Sequence, residues 1–197
     1  MPEAGRKEEE QYFAGMAAKA ENSFRKVFLT SMDICSITWT TKNQEQDWSV
    51  RPNMIFAVAL DYSPLAPSGK ESGFDICTKE LLTPKGLRSL SPKSGGYNPM
   101  YVGPQVQRDY AYHQGTAWPW LAGFYMEACM RLYKKSRVSF VERVLVGFEE
   151  EMFSHCIGTI PELFDGNPPY HARGAISFAM NVAEILRVVK LIEKYDI

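Results

Sequence analysis

The residues best suited to chemistry in this sequence are two carboxylates in one loop. Glu162 and Asp165 lie in the run Gly158-Thr159-Ile160-Pro161-Glu162-Leu163-Phe164-Asp165-Gly166, among the apolar side chains Ile160, Leu163 and Phe164. A carboxylate in such surroundings must find a partner or shift its pKa. Catalytic acids and bases are made in this way, and so are structural loop anchors; spacing alone leaves both open. A second cluster precedes it: Arg108, Asp109, His113, Gln114, Trp118 and Trp120. Sugars present hydroxyls that need polar partners and C–H faces that sit on aromatic rings, so this mixture has the make-up of a sugar site. Trp118, beside Thr116 and Pro119 at a helix mouth, is expected to meet a ligand. Trp120 is expected in the core, where indoles are mostly buried. His113 reads as a hydrogen-bonding group. His155 and His171 stand at no ligand spacing from it, so neither a metal nor a cofactor is expected. No phosphate-binding Gly-rich loop or nucleophile–histidine signature occurs.

The elements that must position these residues are mainly helical. Apolar side chains recur at helical spacing over residues 7–28, through Tyr12, Phe13, Met16, Ala20 and Phe24. Residues 51–62 are apolar nearly all round and read as a buried helix, with a buried strand as rival. A weaker helix is expected over 71–82. A long one is expected over 116–135, with Thr116 as N-cap and Pro119 in its first turn. Two more cover 137–155 and 172–195, with stripes through Val141, Leu145, Phe148 and Met152, and through Phe178, Val182, Ile185, Val189 and Ile192. Strand signal is confined to residues 34–41, enough for one small hairpin edge. The expectation is an all-α single domain over 1–197, with at most a small β-hairpin. Two loops, 83–109 and 156–171, are too long for plain connectors. The first is rich in Pro and Gly and carries Leu87, Leu90, Tyr97 and Tyr101, which argues for an ordered loop packed on the helices.

Bulk properties exclude several classes. The chain has 22 Lys and Arg against 23 Asp and Glu, a net charge of −1, and no basic stripe, so nucleic acid is not an expected partner. The densest basic stretch, residues 131–137, falls at a helix end, where cations offset the macrodipole. Cys35, Cys77, Cys129 and Cys156 show no C-x-x-C spacing, so neither a zinc knuckle nor a redox motif is indicated. Residues 1–10 are polar, without the apolar core of a signal peptide, and no run approaches a membrane span. A cytoplasmic chain with no membrane partner is expected.

The same residues carry a resemblance. Arg51-Pro52-Asn53-Met54-Ile55-Phe56, Leu81-Leu82-Thr83-Pro84-Lys85-Gly86, the run Tyr112-His113-Gln114-Gly115-Thr116-Ala117-Trp118-Pro119-Trp120 and the Glu162-Leu163-Phe164-Asp165-Gly166 loop resemble, in order, the amylo-α-1,6-glucosidase (glycogen debranching) family. The resemblance implies that the chain is about half of an (α/α)6 barrel, a toroid of helical hairpins with a sugar pocket at one mouth. It implies hydrolysis of an α-1,6-linked glucose with inversion. Glu162 matches the general base, while the general acid belongs to an upstream segment that this chain does not match. Arg51, Asp109, His113, Gln114, Trp118 and Asp165 are the implied substrate-side residues. The expected partners are an α-glucan, the remaining half of the barrel and, through the apolar face so exposed, a second copy of the chain. A non-catalytic helical carbohydrate-binding or regulatory module is the alternative. The chain departs from the family at Pro161, where Ser is common, at Ala117, and at Phe178 and Met180, where Gln and Trp are frequent. These changes bear on substrate preference more than on fold.

Overall fold

The structure, a computed structural model, describes residues 3–29, 47–155 and 157–195. The strand expected over 34–41 lies outside these residues, as do Cys35 and Cys156. The fold is mainly helical, as expected from the periodicities. In chain order the helices are α1 (Glu3–Phe28), α2 (Asn53–Ala59), α3 (Pro67–Glu80), α4 (Gln105–Ala111), α5 (Pro119–Tyr133), α6 (Val138–Glu149), α7 (Glu151–Ser154) and α8 (Ala179–Tyr195), with a 3-10 turn at Lys134–Arg137. Among the described residues no helix is long and apolar enough to cross a membrane.

Helix α5 is the centre of the assembly. Its sequence is apolar on almost every face, and Leu121, Ala122, Tyr125, Met126, Ala128, Cys129 and Met130 are all buried. A helix of that kind must be surrounded, and α2, α3, α6 and α8 all pack against it. The apolar segment at 51–62 is helical, not a strand, and buries Met54, Ile55, Val58 and Ala59. On α8 the buried face centres on Ile185 and Val188, so Val189, expected on the stripe, is exposed. Other large apolar side chains remain exposed: Tyr12, Phe13 and Met16 on α1, and Met180 and Leu186 on α8.

Among the described residues the strands form a five-stranded antiparallel sheet that runs through both long loops. Its strands are β1 (Leu82–Thr83), β2 (Gly86–Arg88), β3 (Ala117–Trp118), β4 (Leu163–Phe164) and β5 (Ala172–Arg173), paired in that order. Leu87 faces Trp118, Ala117 faces Phe164, and Leu163 faces Arg173. The sheet therefore takes β3, immediately before α5, as its middle strand and lays the two loops on either side. Leu87, Leu90, Leu163 and Phe164 are buried beneath it. Further bonds join the loops directly: Gly166 N donates to Pro99 O at 2.8 Å, Arg88 Nε to Gly166 O at 2.8 Å, and Tyr97 Oη to Asn167 Oδ1 at 2.8 Å. The loop at 83–109 is ordered and packed, as its apolar content requires, and it contains the short helix α4. That helix was not legible because only Ala111 is buried on it.

Two expected helix starts move because of this sheet. Trp118 is extended, and α5 begins at Pro119, whose missing N–H needs no partner at that position. Thr116 does not cap it; its hydroxyl donates to Tyr112 O at 2.9 Å. The cap comes from another helix: Asn181 Oδ1, on α8, accepts the Trp120 N–H at 3.0 Å. Helix α8 begins at Ala179 rather than 172, because Ala172 and Arg173 pair with β4.

Candidate active site

Glu162 is half-buried and held from several sides. Its backbone N–H donates to Ala175 O at 2.9 Å and its carbonyl accepts Asn181 Nδ2 at 2.8 Å. Its side chain accepts the Tyr112 hydroxyl on Oε1 and the Ala175 N–H, at 2.8 Å, on Oε2. Gly174 makes room for it. Its φ of +71° favours glycine, and a Cβ there would fall on Glu162 Oε2 and 3.0 Å from the Glu162 Cβ and Cδ. Burial and the bond to the Glu162 carboxylate push the Tyr112 phenol well above its ordinary pKa. Tyr112 is therefore a neutral donor throughout the range in which a base would act.

Two cavities adjoin at Tyr112. One, of about 480 Å³, is polar and is lined by Glu162 with Tyr101, Gln105, Arg108, Asp109, Arg173 and Gly174. The other, of about 450 Å³, is aromatic, with Phe56, Trp118, Trp120, Phe178 and the Tyr112 ring in its walls and Arg51 and His113 at its polar side. Both fall within the ~300–1,000 Å³ of small-ligand sites. The seven candidate site residues thus divide. Asp109 and Glu162 share the polar cavity; Arg51, His113 and Trp118 line the aromatic one. Gln114 is tied to the second group, accepting Arg51 Nη2 on Oε1 at 3.0 Å. Arg51 Nη1 also donates to His113 O at 2.8 Å, so the arginine fixes the chain that presents the imidazole.

Asp165 departs from its expected substrate-side role. It is 0% exposed. Oδ2 accepts Arg173 Nε and Nη2 at 3.0 and 2.8 Å, and Oδ1 accepts Tyr101 N at 2.8 Å. A carboxylate so enclosed anchors the loop and does not reach a ligand. Both indoles line the aromatic cavity: Trp118 is 5% exposed, with its N–H donated to Thr116 Oγ1 at 3.1 Å and Tyr112 O at 3.3 Å, and Trp120 is partly exposed, stands against Phe56 and packs on the core. Among the described residues no group of three or more His, Cys, Asp or Glu is placed to hold a metal.

The amylo-alpha-1,6-glucosidase family matches residues 1–187 of the chain. This chain belongs to the amylo-alpha-1,6-glucosidase family. One relative is the glycogen debranching enzyme of Saccharomyces cerevisiae, 31% identical over 99 residues, which is 46% of this chain and 6% of the yeast protein. The chain thus spans a small part of that relative's length. Phe178 and Met180 lie in the walls of the aromatic cavity.

Sequence reasoning missed four residues that build this candidate site: Tyr112, Gly174, Arg173 and Asn181. Tyr112 was read only as part of the Tyr112-His113-Gln114-Gly115-Thr116 run, and no role was assigned to Arg173 or Gly174. Asn181 is fully buried and joins three elements: Oδ1 caps α5 at Trp120 N, and Nδ2 donates to the carbonyls of Pro161 and Glu162, at 2.5 and 2.8 Å. An Asn inside an apolar helical stripe is the one signal that pointed to it, since a buried amide must be hydrogen-bonded.

Proposed function

We propose that this chain is the base-bearing part of the (α/α)6 catalytic barrel of a glycogen-debranching-type glucosidase. Its parent hydrolyses α-1,6-glucosidic bonds of an α-glucan with inversion. Glu162 is the general base that activates water, and the general acid comes from a segment outside this chain. The observation that carries the reading is the setting of Glu162: a carboxylate with one neutral donor on each oxygen, opening on a polar cavity beside Asp109, Arg108 and Arg173. Inversion needs a second carboxylic acid about 6.5–9.5 Å away on the opposite side of the scissile bond. Asp165, the nearest carboxylate in sequence, is enclosed by Arg173 and Tyr101 N and is not available. The aromatic cavity, with Arg51, His113 and Trp118, receives a sugar ring, and Gln114 steadies Arg51. The remaining half of the barrel packs against the exposed apolar side chains, and the isolated chain self-associates through the same face.

The test is an assay on an α-1,6-branched limit dextrin, with this chain alone and then with the upstream half of its parent added. General acid catalysis contributes about 10²–10⁴-fold, so the chain alone is expected to show no enzymatic turnover and the reconstituted protein is expected to show it. Asp109→Asn separates the roles: a substrate contact loses about 10-fold, an acid the full 10²–10⁴-fold. Clear turnover by the chain alone, abolished by Asp109→Asn, would move the acid into this chain.

A further inference from the structure

We propose that Tyr112 is a positioning residue for Glu162, fixing the carboxylate in the orientation from which it takes a proton from water. The inference rests on the reading of Glu162 as the base and goes beyond it. The backbone of Glu162 is already fixed by Ala175 O and Asn181 Nδ2, so the remaining freedom lies in its side-chain torsions. A carboxylate offers about four lone-pair sites. Tyr112 Oη occupies one on Oε1 and Ala175 N one on Oε2. One donor on each oxygen stops rotation of the carboxylate plane and leaves a lone pair on each for water. Gly174, which has no Cβ, leaves the space that this orientation of the side chain occupies.

Tyr112 is itself built to hold still. It follows the last turn of α4, and its N–H donates to Arg108 O at 2.9 Å. Its carbonyl accepts both Thr116 Oγ1, at 2.9 Å, and Trp118 Nε1, at 3.3 Å. Its ring meets Trp118 edge-on, with centroids 4.7 Å apart and planes at 88°, and contacts Tyr101 and His113 on other sides. The phenol is thus carried by the same residues that form the aromatic cavity, while its hydroxyl bonds to Glu162, which lines the polar one. The charged groups sharing the cavity with Glu162 are Arg108, Asp109 and Arg173, and Arg173 is engaged by Asp165. Among the described side chains, Tyr112 supplies the hydrogen bond to the Glu162 carboxylate. A base misplaced by about 1 Å loses up to ~10²-fold in rate, so loss of one hydroxyl should be read in kcat.

The experiment is a double-mutant cycle in the complete protein that contains this chain, with an α-1,6-branched limit dextrin as substrate. Tyr112→Phe keeps the ring and removes the donor; it should lower kcat by about 10- to 100-fold and leave KM within about twofold. Combined with Glu162→Gln it should add nothing to the loss caused by Glu162→Gln alone, because the hydroxyl then has no base to orient. Tyr112→4-aminophenylalanine, which keeps a donor at that point, should recover most of the lost rate and also serves if Tyr112→Phe fails to fold. If Glu162→Gln leaves kcat intact, the base assignment falls. If Glu162→Gln abolishes turnover while Tyr112→Phe keeps kcat within twofold, or if the two losses multiply, the positioning role of Tyr112 is overturned and the base assignment stands.

Discussion

Replacing Gly174 by Ala tests the geometry around Glu162 without touching the carboxylate. Two costs arise. The φ of +71° is strained for any residue with a Cβ, by about 1–3 kcal/mol. The new methyl also occupies the space of Glu162 Oε2 and approaches the Glu162 Cβ and Cδ to 3.0 Å. Glu162 must then leave its rotamer and surrender the Ala175 N–H. Because that bond is exposed, water recovers part of it, and the added cost is about 1–2 kcal/mol. Gly158 provides the control, with a φ of +67° and nothing within 4 Å of an added Cβ. Gly158→Ala therefore carries the backbone cost alone. In urea unfolding, Gly174→Ala should destabilise the chain more than Gly158→Ala by about 1–2 kcal/mol, or roughly 2–8 °C in Tm for a domain of this size. Equal losses in the two variants would refute the placement of the Glu162 side chain against Gly174.

Asp165→Ala removes a fully buried carboxylate from Arg173 and Tyr101 N. Since the arginine keeps some exposure, the loss should be about 3 kcal/mol, at the lower end for a broken buried pair, read from the urea midpoint. Glu80 responds to acid. Burial raises its pKa, but the bonds from Lys93 Nζ, at 2.9 Å, and Ser91 Oγ, at 2.6 Å, outweigh this and hold it below the usual carboxylate value. A depressed folded pKa contributes stability above the unfolded pKa and loses it as pH falls through the folded one. The gap in urea midpoint between the wild type and Glu80→Gln should therefore close as pH drops through the carboxylate range, and a gap that widens in acid would contradict the pairing. Burial pushes the Cys129 thiol up to about 11, so a thiol reagent at neutral pH should label Cys129 only after denaturation, as peptide mapping would show.

The long helices were legible because apolar residues at helical spacing leave few other ways to bury them. The sheet was not. Its strands have two or three residues each, too short to display an alternation. They form because Leu87, Ala117, Leu163 and Phe164 are buried together and their backbone groups need partners. Glu162 stood out because a carboxylate among Ile160, Leu163 and Phe164 is conspicuous, and it does sit at a cavity. Asp165 looked the same in sequence, since nothing local reveals that Arg173 lies across a strand pair and neutralises it. With Trp118 extended in β3, its ring turns toward Tyr112 and Thr116, a setting that the expected helix start at Thr116 did not foresee.

The central claim is that Glu162 is the base of an inverting displacement. It is tested most directly by proton NMR of the glucose first released from an α-1,6-linked stub by the complete protein, wild type against Glu162→Gln. Direct attack of a Glu162-activated water on the face opposite the leaving oxygen predicts β-glucose as the initial product, and no release above background from the variant. Initial α-glucose from the wild type, or continued release by Glu162→Gln, would contradict it.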